Sequence, residues 1–261
     1  MRWVGTIGHT MKITVITLFP QMMSQLLGES ILGRAQTKGA VTIDVVNLRD
    51  YATDSYGTVD DRPYGGGAGM VLRVDVLARA LGAARHEQSS KPFVLLTSAK
   101  GIPYTQSKAH ELTKLEHLLI ICGRYEGVDE RIMPQIDEEV SLGDFVMTGG
   151  EIAAAAVIDS VVRLLPGVLK KEDATEDESF MHIELAELMS AVGKTEQLSS
   201  LVAIGRTHVQ LLEYAHFTRP EMYEGVGVPE ILLCGDPKKI RVWKLQQAYA
   251  QTVEKRPDLL E

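Results

Sequence analysis

Residues 118–131 read LLIICGRYEGVDER, a run of apolar residues that passes directly into glycines, charged residues and a tyrosine. A fully apolar run of this length is typical of a strand buried on both faces of a parallel sheet. Because open α/β sheets bind ligands at the carboxyl ends of their strands, residues 122–131 are candidates for a binding loop. A purely structural interpretation, in which their charged side chains form surface ion pairs, fits the composition equally well.

Two further segments have the same character. Residues 96–101 (LTSAKG) follow the end of another apolar run. In residues 141–151 (SLGDFVMTGGE), glycines and carboxylates surround apolar residues. Three such junctions in one domain predict a single pocket built from several loops. An apolar pocket with backbone donors and acceptors suits a small amphipathic cofactor. The sequence contains no Walker phosphate loop, no HExxH motif and no spaced Cys/His metal cluster.

Residues 60–70 (DDRPYGGGAGM) carry four glycines within five positions. Glycine permits positive φ and the close approach of a ligand to the backbone. The spacing is not the GxGxxG of a dinucleotide-binding turn, and the preceding residues are polar. A flexible surface loop is one interpretation, but the flanking Asp60 and Arg62 favour a loop that contacts a ligand or RNA.

The pattern along the chain predicts an α/β fold. Strands alternating with helices imply a mostly parallel sheet that is covered on both faces. The predicted strands are residues 12–19, 41–48, 93–97 and 118–122, and the predicted helices are residues 21–32, 74–84, 106–115 and 152–165.

The composition of the chain changes after Leu169. Residues 170–215 are predominantly acidic and are predicted to be a linker carrying one short helix, because Leu185, Leu188, Met189 and Val192 share a helical face. The tail from residue 216 is predicted to be a small helical domain whose main helix covers residues 240–253.

The net charge of −8 argues against a protein that coats nucleic acid through bulk electrostatics, so any RNA binding requires a local basic surface. No apolar run approaches the roughly 20 residues that a membrane-spanning helix needs. The two cysteines lie in apolar runs, which favours buried free thiols and a reducing cytoplasm. Met11 is a plausible second start, so residues 1–10 are a candidate upstream extension.

With these motifs in order, the sequence resembles the bacterial tRNA (guanine-N1-)-methyltransferases, the TrmD family of the SPOUT superfamily. The resemblance covers almost the whole chain from Met11. It rests on residues 58–70, 122–131, 141–151, 159–169, 217–221 and 240–260.

The resemblance implies an α/β fold: a SPOUT-type, mostly parallel sheet domain with a deep trefoil knot at residues 11–169, an interdomain linker with an inserted segment at 170–215, and a small C-terminal α-helical domain at 216–261. It also implies a cytoplasmic homodimer that acts on tRNA. The activity would be S-adenosyl-L-methionine-dependent methylation of N1 of the guanosine that directly follows the anticodon. Mg²⁺ is a further family feature, for which the sequence shows no ligand cluster.

The resemblance also implies which residues form the site. The knot loops would bind S-adenosyl-L-methionine through Leu96, Thr97, Ser98, Ala99, Gly123, Tyr125, Glu126, Ser141, Leu142, Gly143, Phe145, Met147, Gly149 and Gly150. The tRNA would contact Asp60, Arg62, Arg124, Arg219, Lys238 and Arg241.

For catalysis, the family uses a linker carboxylate as general base and an arginine, here Arg163, to stabilise charge on guanine O6. The usual Asp-Ser-Phe is replaced by the four residues Asp177-Glu178-Ser179-Phe180. An ungapped count from Arg163 favours Glu178 as the base, whereas a one-residue gap favours Asp177.

A second departure from the family pattern is the insertion at about residues 181–209. It leaves two alternatives open, an RNA-binding module of SPOUT fold that has lost catalysis and a SPOUT methyltransferase with another RNA target.

Overall fold

The chain forms two compact units, Met1–Lys170 and Lys171–Glu261. The computed structural model describes residues 10–86, 91–170, 175 and 177–261. No helix in these ranges is both long and apolar enough to span a membrane.

The first unit alternates strands and helices, as the sequence pattern predicts. Its elements are β1 (Met11–Thr17), α1 (Pro20–Gly28), α2 (Ser30–Thr37), β2 (Val41–Asn47), β3 (Asp60–Asp61), β4 (Val71–Leu72), α3 (Val74–His86), β5 (Phe93–Pro103), α4 (Gln106–Leu112), β6 (His117–Cys122), β7 (Glu138–Ser141) and α5 (Glu151–Val162). Short 3₁₀ helices cover Leu48–Tyr51 and Glu130–Gln135.

Five strands form one sheet in the order β2-β1-β6-β5-β7, and every adjacent pair is parallel. The prediction of an α/β fold with a mostly parallel sheet is confirmed. The four predicted strands correspond to β1, β2, β5 and β6. The edge strand β7 was not predicted, because its four residues include two glutamates and show no apolar run.

Both faces of the sheet are covered, which explains why β6 is continuously apolar. Successive side chains of a strand point to opposite faces, and those of β6 divide between two cores. Leu118 and Ile120 pack with side chains from α1, α2, α4 and α5, whereas Leu119 and Ile121 pack with side chains from α3.

The helix predicted over residues 21–32 is two helices, α1 and α2. Glu29 is extended, with φ −106° and ψ 167°, and Ser30 has a positive φ of 54°. Neither conformation continues a right-handed helix. The apolar spacing of residues 21–32 did not reveal this break, because it reports only which side chains face the core.

The second unit combines helices with short antiparallel strands. Its elements are β8 (Met181–Glu184), α6 (Leu185–Val192), α7 (Glu196–Ala203), β9 (His208–Leu211), β10 (Met222–Tyr223), β11 (Val226–Gly227), α8 (Glu230–Leu233) and α9 (Pro237–Lys255). The predicted face of Leu185, Leu188, Met189 and Val192 lies on α6, and the predicted main helix is α9.

Residues 181–211 differ from the linker that the sequence led us to expect, and the second unit is not purely helical. Strands β8 and β9 pair, and their inward side chains pack with α6, α7 and α9. Most residues of the second core come from this insertion. The core consists of Met181, Ile183, Leu185, Leu188, Leu198, Leu201, Val209, Leu211, Leu245, Ala248 and Leu260. A segment that supplies most of a core cannot act as a flexible connection.

We expect Leu198→Ala to destabilise the second unit by about 2–5 kcal/mol, because Leu198 is fully buried and its truncation leaves a cavity. The matched control on the same helix is Val202→Ala, at a side chain that is 48% exposed, with an expected effect within about 0.5 kcal/mol. Urea unfolding would be followed by the fluorescence of Trp243 on α9 in a Trp3→Phe background. Equal losses in the two variants would contradict the assignment of the insertion to the core.

Candidate functional site

A cavity of about 250 Å³ opens at the carboxyl ends of β5, β6 and β7. Its volume lies just below the range of about 300–1,000 Å³ that is typical of small-molecule sites. All fourteen residues that the sequence analysis assigned to cofactor binding line it: Leu96, Thr97, Ser98, Ala99, Gly123, Tyr125, Glu126, Ser141, Leu142, Gly143, Phe145, Met147, Gly149 and Gly150. The structure therefore brings the three predicted junctions together in one cavity.

The order of the strands explains this convergence. Strand β5 lies between β6 and β7, so the loops that follow all three strands leave the sheet side by side. The pairing of β5 with β7 is interrupted between Thr97 and Ile102. Gly101 lies in this interruption, where an added Cβ would collide with the backbone of Val140.

Thr97 holds the bases of these loops together. Its buried hydroxyl lies 3.2 Å from the carbonyl oxygen of Ile121 and 3.3 Å from that of Gly150, and it accepts from the Gly123 amide at 3.3 Å. The Gly150 amide donates to the Gly123 carbonyl at 2.7 Å. An added Cβ at Gly150 would collide with the Thr97 hydroxyl and lie 2.8 Å from the Gly123 nitrogen. Close backbone approach is therefore the reason for glycine at position 150.

Aromatic side chains border the cavity. Tyr125 has a positive φ of 58°, a sparsely populated conformation for a residue with a side chain, and its side chain is half exposed. Phe145 is also more than half exposed, and the Ser141 hydroxyl donates to the Gly143 carbonyl at 3.0 Å in the same loop. Exposed rings beside a cavity can pack against a planar ligand group.

The glycine-rich segment meets the cavity at its end. The Glu126 amide donates to the Met70 carbonyl, and an added Cβ at Gly69 would collide with the Glu126 side chain. Asp60 lies in β3 and is half-buried, whereas Arg62 is exposed.

Arg124, a predicted tRNA contact, also lines the cavity, and its side chain is mostly buried. Its Nε donates to Glu151 at 3.1 Å, and one terminal nitrogen donates to the Thr148 carbonyl at 2.9 Å. Glu151 was not among the predicted site residues. The available signal was a carboxylate directly after two glycines, at the start of a helix that otherwise consists mostly of alanine and valine.

Cys122 lies at the end of β6 and is buried, as predicted. Burial, reinforced by the negative charge of Glu151, raises the pKa of the Cys122 thiol well above its usual value. Cys234, in contrast, is exposed, because α8 has no buried residues.

The predicted catalytic residues divide between the two units. Arg163 follows α5 in the first unit. In the second unit, each oxygen of the Asp177 carboxylate accepts from a cation, one from Arg241 at 2.7 Å and the other from Lys244 at 3.4 Å. Arg241 also bonds to Glu187 at 3.0 Å. Asp177 therefore joins its segment to α9.

Among the described residues, only part of the basic surface that is predicted to bind tRNA is free of ion pairs with carboxylates. Arg219 and Lys238 are exposed, but Arg241 pairs with the two carboxylates described above. Partial burial acts to lower the pKa of Arg241, and the hydrogen bonds and charges of Glu187 and Asp177 outweigh it and raise that pKa. Within the described ranges, no group of three or more His, Cys, Asp or Glu side chains is placed to hold a metal ion.

Comparisons with known proteins identify similar sequences and similar structures. A profile of the family described as tRNA (Guanine-1)-methyltransferase TrmD matches residues 11–261. A protein of Carboxydothermus hydrogenoformans named tRNA (guanine-N(1)-)-methyltransferase is 44% identical over 252 residues, which cover 96% of this chain and 88% of that protein. The Bacillus subtilis protein of the same name is 44% identical over 252 residues, with coverages of 96% and 93%.

The structural comparison agrees. The crystal structure of tRNA (m1G37) methyltransferase from Aquifex aeolicus has a TM-score of 0.71 and 38% sequence identity, and the match covers 97% of this chain and 95% of that chain.

We expect Gly150→Ala to lower the free energy of unfolding by about 1–3 kcal/mol, because its Cβ has no space between Thr97 and Gly123. The control is Gly82→Ala within α3, where an added Cβ meets nothing within 4 Å. There alanine should raise stability by about 0.5–1 kcal/mol, because it restricts the unfolded chain more than glycine does. Urea unfolding of both variants measures this difference, and two effects of the same sign would contradict the close packing described at Gly150.

Proposed function

The chain belongs to the tRNA (guanine-1)-methyltransferase family, TrmD, and on this premise we propose that it methylates N1 of the guanosine directly 3′ of the tRNA anticodon with S-adenosyl-L-methionine as donor. Membership of this family shows that the chain is a tRNA guanine-N1 methyltransferase. The position in tRNA is the proposal, and it is supported by the similarity to the Aquifex aeolicus enzyme, whose name specifies m1G37. The observation that carries the proposal is the single cavity formed by all fourteen expected donor-binding residues.

The cavity suits the methyl donor by its chemistry. Its loops can approach one another closely, because glycines occupy positions 123 and 150, where an added Cβ would collide with Thr97. Apolar and aromatic side chains, such as Leu96, Tyr125 and Phe145, provide surface for a planar heterocycle. When bound, S-adenosyl-L-methionine supplies an electrophilic methyl group on its sulfonium. We assign no ligands to Mg²⁺, since the described residues show no cluster that fits a metal ion.

Methylation requires that the proton on guanine N1 be removed, because the neutral base carries hydrogen on that nitrogen. A carboxylate within hydrogen-bonding reach can accept it as the new N–C bond forms. Arg163 would stabilise the negative charge that develops on O6 when the proton leaves. Holding N1 in line with the methyl group would lower the barrier further.

We assign the general base to Glu178, because an ungapped count from Arg163 places it at the position of the family's carboxylate. Both oxygens of the alternative, Asp177, already accept from Arg241 and Lys244. A carboxylate that joins its segment to α9 through two cations is better suited to anchor that segment than to take a proton. Glu178 is the next residue, so the anchor would control where the base lies.

We further propose that the chain acts in the cytoplasm as a homodimer with a trefoil-knotted SPOUT domain. The family resemblance supports the knot and the dimer. The structure adds that α1 and α5 pack together and carry exposed apolar side chains, Leu26 and Ile152, that a second copy could cover. The predicted tRNA contacts with Asp60, Arg62, Arg219, Lys238 and Arg241 remain part of this proposal.

The target is tested by methyl transfer to two tRNA transcripts. One carries two adjacent guanosines, the second of them directly 3′ of the anticodon, and the other has adenosine in that second position. We expect a methylated product only from the first, because adenine N1 carries no proton for the base to remove and adenine has an amino group in place of O6. Methylation of another guanosine would indicate a different RNA target, and donor binding without product would indicate an RNA-binding protein that has lost catalysis.

The base is tested by two amide substitutions. We expect Glu178→Gln to lower kcat by about a hundredfold or more, the usual contribution of a positioned general base. Asp177→Asn retains an acceptor for Arg241 and should lower kcat by less than about tenfold. Single-turnover methyl transfer at saturating tRNA and donor measures both variants. If the Asp177 variant shows the larger loss, the two assignments must be exchanged.

A further inference from the structure

Glu151 is the only Asp or Glu side chain that is buried among the described residues, with 1% of it exposed. It begins α5, whose next residues are Ile-Ala-Ala-Ala-Ala. Burying a charged carboxylate in such surroundings is strongly unfavourable unless hydrogen bonds and an opposite charge compensate it. A buried carboxylate therefore indicates a specific interaction, which the fold retains although removing the charge from water is unfavourable.

The compensating contacts come from two different strands. One carboxylate oxygen accepts from the Thr17 hydroxyl at the end of β1, at 2.9 Å. The other accepts from Nε of Arg124, just after β6, at 3.1 Å. The position of Glu151 at the start of a helix also favours its negative charge. One carboxylate thus joins α5 to the carboxyl ends of the two central strands.

Arg124 extends this connection to the wall of the cavity. Its guanidinium donates to the Thr148 carbonyl at 2.9 Å and lies 4.3 Å from the ring centroid of Phe19. Its backbone forms a bridge with Gly149. The side chain therefore spans from the loop after β6 to the loop before α5, and both loops line the cavity.

Gly149 shows how closely the pair is packed. An added Cβ there would collide with Nε of Arg124 and lie 2.6 Å from the Glu151 carboxylate. The glycine is thus required by the ion pair that passes beside it. The pair is part of the packing of this loop, since it leaves no space for a side chain at position 149.

We propose that Glu151 is a positioning residue for the methyl-donor site, which acts through Arg124 to hold residues 123–127 and 148–150 at the spacing that keeps the cavity open. This inference rests on the proposed function of the cavity. It assigns Arg124 to the support of the donor site, whereas the sequence analysis expected it to contact tRNA. Glu151 itself does not line the cavity, so its effect on the donor must be indirect.

The test compares Glu151→Gln, Arg124→Lys and the double variant in the full chain. Glutamine retains the shape of the side chain and removes its charge, and lysine retains the positive charge but cannot bond to Glu151 and Thr148 together. Each single variant should raise the Kd for S-adenosyl-L-methionine, measured by calorimetry, by roughly tenfold or more. The Kd for tRNA and the kcat at saturating donor should change by less than about threefold. Because the two residues act as one unit, the double variant should be little worse than either single variant.

The matched control is Glu138→Gln, which removes the charge of a partly buried carboxylate on β7 that pairs with Lys108 and does not line the cavity. Its donor affinity should equal that of the unsubstituted chain. The inference is overturned if folded Glu151→Gln binds the donor normally, if the two single effects add, or if tRNA affinity falls as much as donor affinity. If Glu151→Gln does not fold, an unchanged donor affinity in Arg124→Lys overturns it. Absence of donor binding by the unsubstituted chain would instead refute the proposed function, and this inference with it.

Discussion

At the carboxyl edge of the sheet, the Thr97 hydroxyl lies within 3.3 Å of backbone atoms of Ile121, Gly123 and Gly150. This contact requires three chain segments to approach one another without intervening side chains. Glycine at positions 123 and 150 follows from that requirement, because an added Cβ at either position would collide with Thr97. The ion pair between Arg124 and Glu151, which passes beside Gly149, joins the loop after β6 to the start of α5. Backbone contacts around Thr97 and the ion pair between Arg124 and Glu151 therefore connect the loops that line the cavity.

The second unit depends on a different constraint. Helix α9 buries few residues, Leu245, Ala248 and Thr252, and a core of that size needs partners. The inserted segment supplies them through the β8–β9 pair and the helices α6 and α7. The insertion therefore belongs to the structure that supports α9 and, through Asp177 and Arg241, the segment that carries the proposed base.

Several features were predictable because each depends on residues close together in sequence. The buried strands were visible as apolar runs such as residues 118–122, and the loops that line the cavity were visible as glycine-rich segments directly after them. The boundary between α1 and α2 was not visible, because it depends on a positive φ at Ser30 that no neighbouring residue type demands. Strand β7 was equally hidden, since its two glutamates mask the burial of Val140 and Ser141.

The sequence by itself determined the α/β class, the loops that line the cavity and the family, because apolar periodicity and long motifs are properties of contiguous residues. Only the tertiary structure decided that Glu151 pairs with Arg124, that Asp177 pairs with Arg241, and that residues 181–211 form a core. Each of these depends on groups that are far apart in the sequence: Arg124 and Glu151 are 27 positions apart, and Asp177 and Arg241 are 64 positions apart. Pairings of this kind depend on how the strands and helices are arranged in space. The local pattern of a sequence does not specify that arrangement.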